Sequence, residues 1–575
     1  MKRKFRRILT FIFIAIYLCL ITSCYEINTF TDVGDETLQN TNYLQSENIV
    51  DNGPVNGGTL NLFCTYPDNL DPLLTKNPYL KNYFRFVFDS MVKISKSQIP
   101  EGQLCDKWFV SEDGYTWTFH VRENIVWQDG YPLTAEDIKF TIDKLITYKE
   151  NTIYKANVNN ISSVRVIDRY TIEITLKKPN AFTPELMTFP IVSSRFYSNP
   201  ENVNEAFKSR FPPGTGPFSF KAYEENSHII LTASKSWWRK KLNADGNTLE
   251  MPYINDINIK FYKNSREAYS AFQVRNTDVI FASEKDMDLY TGRTAISLKK
   301  FINGKWDFIS FNLSNPLLSE KTVRQFIYSC IDIGEIIGEV LPGKAIESNI
   351  PLIPGTWLHE IQTDNNNKEI VEKLYTSTRM KLLENGWEEY NGEFYSKVNG
   401  ILKPVAFELL VNEENSYRVK VAEKIAENLT NKGIRVTLKT VPWDQMLNLI
   451  NSKKYDMAIL GCTIPDYPDL SFLYSIPYLD NQKPTNSNEY PLATNISGYY
   501  NEKVQELIVN IYESRNRDEL KKIFTDLINI INEELPYIGL FFYTDAIVYY
   551  NNIGGNIDPY LWDGYNNITE WYIIK

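Results

Sequence analysis

The chain predicts an α/β fold. Three observations carry this: a β-α-β-α-β pattern between residues 404 and 470, alternating strand pairs between residues 113 and 176, and an amphipathic helix with its own start signal between those pairs. Regular structure is expected to begin near Gly57-Gly58-Thr59-Leu60-Asn61-Leu62, where apolar and polar residues start to alternate. Asp113-Gly114 then makes a turn, and Tyr115, Trp117, Phe119 and Val121 alternate with Thr116, Thr118, His120 and Arg122, one face apolar and the other polar. Thr134-Ala135-Glu136-Asp137 reads as a helix start with Thr134 as cap, and Ile138, Ile142 and Leu145 form its buried stripe. A second strand pair follows at Val164, Val166 and Ile172, Ile174, Leu176. The turn-dense Pro212-Pro213-Gly214-Thr215-Gly216-Pro217-Phe218 suits a crossing between domains.

The most informative segment lies later. Val405, Phe407, Leu409 and Val411 alternate as a strand; Val421, Ala422, Ile425 and Leu429 fall at helical spacing, and Asn431-Lys432-Gly433 ends that helix. Ile434, Val436 and Leu438 form the next strand, a second helix runs from Pro442 to about Asn451, and Tyr455 to Leu460 reads as a buried third strand. Such runs build parallel sheets with right-handed crossovers, and ligands bind beyond the carboxyl ends of the strands. The loop Gly461-Cys462-Thr463-Ile464-Pro465-Asp466-Tyr467-Pro468-Asp469 is therefore the expected place for a site. Asp466 or Asp469 could face a cleft and pair with a ligand's ammonium group, although spacing alone favours the reading that Asp and Pro here make turns.

The first residues carry an address. Lys2, Arg3, Lys4, Arg6 and Arg7 precede the apolar run Ile8 to Leu20, then Ile21-Thr22-Ser23-Cys24, an arrangement that resembles a bacterial lipoprotein signal. The run is short of the ~20 apolar residues that a membrane span needs. Residues 1–23 are expected to be a signal peptide, Cys24 the lipidated first residue of the mature chain, and 24–56, rich in Asn, Thr, Asp and Glu, a tether. Removing the signal takes away five basic residues and no acidic one, which deepens the formal net charge from −10 to about −15. Such an acidic body gains nothing from a phosphate backbone, so nucleic acid is excluded as a partner.

Catalytic and metal signals are weak. His120, His228 and His359 are scattered, and no Gly-x-Ser-x-Gly, phosphate-cradling glycine loop or His-Glu-x-x-His occurs. Cys64, Cys105, Cys330 and Cys462 match no zinc spacing, and their disulfide state is open; Cys330 sits among apolar neighbours as a core thiol would. Of the 37 Tyr, 31 Phe and 11 Trp, many must belong to the core; Trp237, Trp238, Trp357 and Trp443 could line a pocket, but core packing is the default for each. No enzyme activity, metal or cofactor is expected.

Several segments together resemble the bacterial extracellular solute-binding proteins of the peptide and nickel type, family 5. They are Asp106 to Phe119, Val121-Arg122, Trp127-Gln128-Asp129-Gly130, Leu133 to Asp137, Gly214 to Phe218, Phe311-Asn312, Val323-Arg324-Gln325 with Ile331-Asp332, Leu382 to Trp387, and Asp466-Tyr467-Pro468-Asp469, in the family's order. The resemblance implies a two-lobe periplasmic-binding-protein fold with a hinge. Lobe one would hold 57–92, 211–308 and 541–575, with an inserted subdomain at 93–210, and lobe two would hold 309–540. It implies the substrate-binding component of an ABC importer, a monomer anchored to the bacterial membrane through Cys24, that captures short peptides and delivers them to a permease and ATPase complex. In peptide-binding members the aspartate of the Asp-Tyr loop pairs with the ligand's α-amino group, a position Asp466 occupies, with Tyr467, Cys462, Thr463 and Asn312 as further ligand-binding candidates. Many members carry a tryptophan a few residues before that aspartate, where this chain has Cys462 and Thr463. The family also includes nickel, heme, sugar and antibiotic carriers. A surface glycan-binding lipoprotein or glycosidase is a reading of another class, resting on acidity and aromatic content, and a peptide-sensing receptor is a third.

Overall fold

In the computed structural model, which describes residues 51–239, 249–361, 368–398, 400–475 and 495–574, two strands well beyond the usual length of roughly five or six residues run side by side: Ile296–Phe311 and Tyr537–Tyr550. The remaining elements are arranged around this pair. The signal, Cys24 and the tether as far as residue 50 lie outside the described residues, of which no helix is long and apolar enough to cross a membrane.

In chain order, β1 (Thr59–Thr65) leads to α1 (Pro78–Phe84), whose cap Asn77 accepts from the Tyr79 and Leu80 amides at 3.0 and 3.2 Å. Then come β2 (Cys105–Val110), β3 (Thr116–Val121), α2 (Ala135–Tyr148), β4 (Ile161–Asp168) and β5 (Thr171–Leu176); the four strands make one antiparallel sheet in the order β2-β3-β5-β4. Helix α2 starts where its Thr-x-x-Asp pattern predicts, the Thr134 amide donating to Asp137 Oδ2 at 3.0 Å, and Ile138, Ile142 and Leu145 are fully buried. Trp117, Phe119 and Val121 bury the predicted face of β3, whereas Tyr115 sits in the turn before it and is exposed. β6 (Phe218–Glu224), β7 (His228–Ala233) and β8 (Asp256–Tyr262) join β1 in a second sheet, β1-β8-β7-β6. The glycine-rich stretch before β6 passes tightly along residues 86 and 87: the Gly216 amide donates to the Val87 carbonyl at 2.9 Å, and a Cβ at Gly214 or Gly216 would strike the Val87 or Phe86 backbone.

The third sheet uses β9 (Val279–Ala282), β10 (Ile296–Phe311), β11 (Ala345–Glu347), β12 (Ala406–Asn412), β13 (Arg435–Val441), β14 (Met457–Thr463) and β15 (Tyr537–Tyr550). Their order is β9-β15-β10-β14-β12-β13, with β11 also on β15. β12 is parallel to both β13 and β14, joined through α3 (Ser416–Asn431) and α4 (Trp443–Asn451), so the β-α-β-α-β pattern reads true. After β14 come α5 (Ser471–Tyr474), α6 (Glu502–Glu513) and α7 (Arg517–Glu534). Alternation sorts the two faces: Leu409, Val411 and Ile459 pack with Val421, Ile425 and Leu429 of α3, while Leu410, Ala458 and Leu460 pack with Met446 and Ile450 of α4 and with Leu507, Phe524 and Leu527 of α6 and α7. Covered on both sides, β15 is apolar almost throughout.

The third strand of the β-α-β-α-β unit differs from expectation at both ends, starting at Met457. β14 does not stop at Leu460 but continues to Thr463, because β10 offers it partners that far: Asp307 faces Gly461, Trp306 faces Cys462 and Lys305 faces Thr463. Cys462 and Thr463 thus lie on a strand end and not in the loop. Cys64, Cys105 and Cys330 are buried free thiols and Cys462 is a partly buried one; burial pushes the Cys330 thiol up to about 12.

Candidate functional site

A buried ion pair underlies the carboxyl end of β14. Asp307 on β10 is fully buried; it receives Arg418 Nε at 2.7 Å and Nη2 at 2.6 Å from α3, and the Tyr543 hydroxyl of β15 at 2.9 Å. A bidentate guanidinium plus a phenol leave little of the carboxylate's hydrogen-bonding capacity unmet. The pair lies across Gly461, where a Cβ would collide with both charged groups. The crossing strands, α3 and the start of the loop are thereby locked together.

From this base the loop Ile464 to Leu470 leaves the sheet. Its first amide, Ile464, donates to the Gly304 carbonyl at 2.9 Å, and Ile464, Pro468 and Leu470 are buried. The two aspartates part company here. Asp469 is 3 % exposed and its Oδ1 accepts the Ser471 amide at 2.8 Å at the start of α5, the work of a turn residue. Asp466 is exposed; its backbone carbonyl is approached by Gln98 Nε2 at 3.4 Å, but among the described residues no donor or cation pairs with its carboxylate. Between them, the Tyr467 ring lies 5.1 Å from the Phe182 ring, and Phe182 meets Tyr512 edge-on at 6.2 Å. The Ala181 amide donates to the Tyr512 carbonyl at 2.9 Å. Burial, then the charges of Asp469 and Asp466, push the Tyr467 phenol up, so it stays neutral.

Of the other predicted site residues, Cys462 and Thr463 stand directly before this loop, the first half-buried and the second exposed. Burial and the nearby Asp307 push the Cys462 thiol up, which suppresses the thiolate that a nucleophile would need. Asn312 does not join them. It is buried, its amide donates to the Lys453 and Tyr455 carbonyls at 3.0 and 2.7 Å, and its Oδ1 accepts the Ser314 amide at 3.2 Å, so it fastens the turn before β14. Sequence reasoning missed Gln98, Phe182 and Tyr512, which approach from remote segments and carry no local pattern. The histidines remain apart: His120 pairs with Asp106 at 2.7 Å, and among the described residues no group of three His, Cys, Asp or Glu side chains could hold a metal. A cavity of about 430 Å³, whose lining includes Asp106, His120, Arg122 and Trp238, shares no residue with the Asp466 loop.

A loop anchored at its sides, presenting a carboxylate that has no partner among the described residues, suits a protein that binds. The comparisons agree. The sequence model of the bacterial extracellular solute-binding proteins, family 5 Middle, matches residues 100–484, and the chain belongs to that family. It is 22% identical over 473 residues to the oligopeptide-binding protein AppA of Bacillus subtilis (strain 168), covering 81% of this chain and 82% of AppA. The structure of AppA in complex with a nonapeptide matches with TM-score 0.54 at 20% identity, covering 91% of this chain and 100% of that one. NikZ of Campylobacter jejuni in complex with Ni(L-His) matches with TM-score 0.57 at 20% identity, covering 89% and 99%. The murein tripeptide-binding protein MppA, in its unliganded open form, matches with TM-score 0.72 at 17% identity, covering 91% and 99%. The fold is the two-lobed fold of periplasmic binding proteins, and the chain is an extracytoplasmic solute-binding protein of the ABC-importer type, not an enzyme.

Proposed function

We propose that this chain captures peptides in the cleft between its lobes, with Asp466 pairing with the ligand's α-ammonium group, and delivers them to a membrane permease. The observation that carries the reading is the Asp466 carboxylate, exposed and without a partner among the described residues, on a loop where Tyr467 and Asp469 are held. An ammonium brought against it as the cleft closes would exchange water for a charge-assisted hydrogen bond of a strength that partial burial increases. An extended peptide can satisfy its main-chain groups against the cleft walls while its side chains project into wet pockets, which makes affinity nearly independent of sequence. The names of relatives such as AppA point to the same ligand class. Tyr467, Cys462 and Thr463 would shape the wall around the first ligand residue.

The hinge falls, in this reading, where β10 and β15 cross from lobe one to lobe two. Their pairing is irregular between Ile302 and Trp306; before it β10 pairs with Thr544–Tyr550, and after it with Tyr537–Phe542. This lies close to the division of lobe one (57–92, 211–308, 541–575, with 93–210 inserted) from lobe two (309–540). Cys24, carrying two acyl chains, would hold the protein at the membrane, each buried methylene contributing about 0.8 kcal/mol. The test is mass spectrometry of small molecules released by denaturing the purified chain. A ladder of short peptides is expected; a single metal chelate, sugar or antibiotic would keep the fold and overturn the ligand.

A further inference from the structure

Where the proposed inserted subdomain (93–210) meets the proposed lobe two (309–540), the contact closes over an acid that nothing neutralises. Residues 180–186 make most of this contact. The Ala181 amide donates to the Tyr512 carbonyl at 2.9 Å, and the Phe182 ring lies 5.1 Å from Tyr467 and 6.2 Å from Tyr512. Phe182 is 1 % exposed and shares one apolar cluster with Leu473, Leu520 and Phe524 of the other side. Beside it, the Trp357 amide donates to the Ser97 carbonyl at 3.1 Å. Directly behind Phe182, in the short helix Thr183–Leu186, Glu185 is buried with its Oε2 unbonded among the described residues.

The cations around Glu185 are otherwise engaged. On its own side the short helix packs against the strand Val92–Ile94, where Lys93 is held by Glu101 at 3.3 Å, and against the helix Lys155–Val158, where Lys155 pairs with Glu150. From lobe two come Tyr512, a phenol kept neutral by burial, and Arg517 at the start of α7, which reaches Glu185 only electrostatically and lies 5.8 Å from the Trp357 ring. His359, also buried, packs against α7 within lobe two, so parting the contact does not uncover it. A carboxyl group taken from water without a partner keeps its proton. We propose that residues 180–186 are a proton-taking clasp: they hold the lobes shut, and Glu185 gains a proton as the clasp closes and loses it to water as the clasp parts. The inference rests on the proposed division into lobes and adds what governs their closing. Shut, Glu185 ionises only at about 7, burial outweighing its own amide and Arg517; parted, it returns to its ordinary 4.5. This contribution to closure is therefore full below about pH 4.5 and is lost as pH rises through 7.

Two measurements on the full chain test the clasp. Calorimetry of alanine tripeptide binding at pH 6, in buffers of different ionisation enthalpy, reads the protons taken up: wild type should take up about half a proton or more beyond Glu185→Gln per peptide bound. X-ray scattering without peptide reads opening. The wild-type radius of gyration should shrink from pH 7.5 to pH 5.5, Glu185→Gln should keep the smaller value at both, and Phe182→Ala the larger. Equal proton uptake by wild type and Glu185→Gln, or a wild-type radius that ignores pH, overturns the inference and leaves peptide capture standing. A tripeptide that fails to bind while the radius still follows pH overturns peptide capture and supports the clasp.

Discussion

Asp307 and Asp466 sit near opposite ends of one short stretch of structure, and they have been treated in opposite ways. Asp307 is wholly buried, gripped by Arg418 and Tyr543 where the long strands cross; Asp466, on the loop that this grip supports, is exposed and its carboxylate has no partner among the described residues. A carboxylate removed from water must be paired within the fold, whereas one left at a mouth keeps its pairing capacity for an incoming cation. On the proposed reading, the contrast separates a carboxylate that holds the fold together from one kept for a ligand.

The difference should show first in stability. Asp307→Ala leaves the Arg418 guanidinium without its carboxylate and is expected to cost about 3–5 kcal/mol, read from the denaturant midpoint, while Asp466→Ala should stay within about 0.5 kcal/mol of wild type. Ligand affinity should reverse the order of importance. Asp466→Ala is expected to lose about 3 kcal/mol of peptide binding, more than a hundredfold, in a protein of normal melting behaviour. Glu185, in the short helix Thr183–Leu186, is an intermediate case: 8 % exposed, with Oε2 unbonded among the described residues and Arg517 within electrostatic reach. Burial, against the opposing pull of its own helix-end backbone hydrogen bond and Arg517, raises its carboxyl to about 7. The folded form therefore holds a proton that the unfolded chain releases near pH 4.5. Stability should fall as pH rises from there towards 7, by on the order of 2–3 kcal/mol, and level off above; Glu185→Gln should flatten that fall in denaturant titrations across the same range. The smallest of the expected losses is that of Asp469→Ala, which removes the bond to the Ser471 amide and should cost about 1 kcal/mol, seen as a small drop in melting temperature.

How much of this was legible in the sequence follows from distance along the chain. The β12 to β14 unit was readable because period 2 and period 3.6 patterns are local, and α2 because its start signal and stripe lie within one helix. No local pattern marks β10 and β15 as the spine, since each draws its regularity from a partner more than 200 residues away; the end of β14 is illegible for the same reason, its last three residues being strand only because β10 accompanies them. In the candidate loop, Asp466 is singled out by family resemblance alone, and Asp469 by turn chemistry, which its bond to the Ser471 amide shows. Asn312 came from the same resemblance, yet its side chain fastens Lys453 and Tyr455. Gln98, Phe182 and Tyr512 belong to segments that meet the loop only after folding, and no spacing announces them.

Titration of wild type and Asp466→Asn with one peptide pool, before and after N-terminal acetylation, puts the central claim at risk most directly. The account predicts that acetylation and the substitution each weaken binding by a similar factor, about a hundredfold, and that acetylating the peptides costs the variant almost nothing further. Equal binding of untreated peptides by wild type and Asp466→Asn would contradict it.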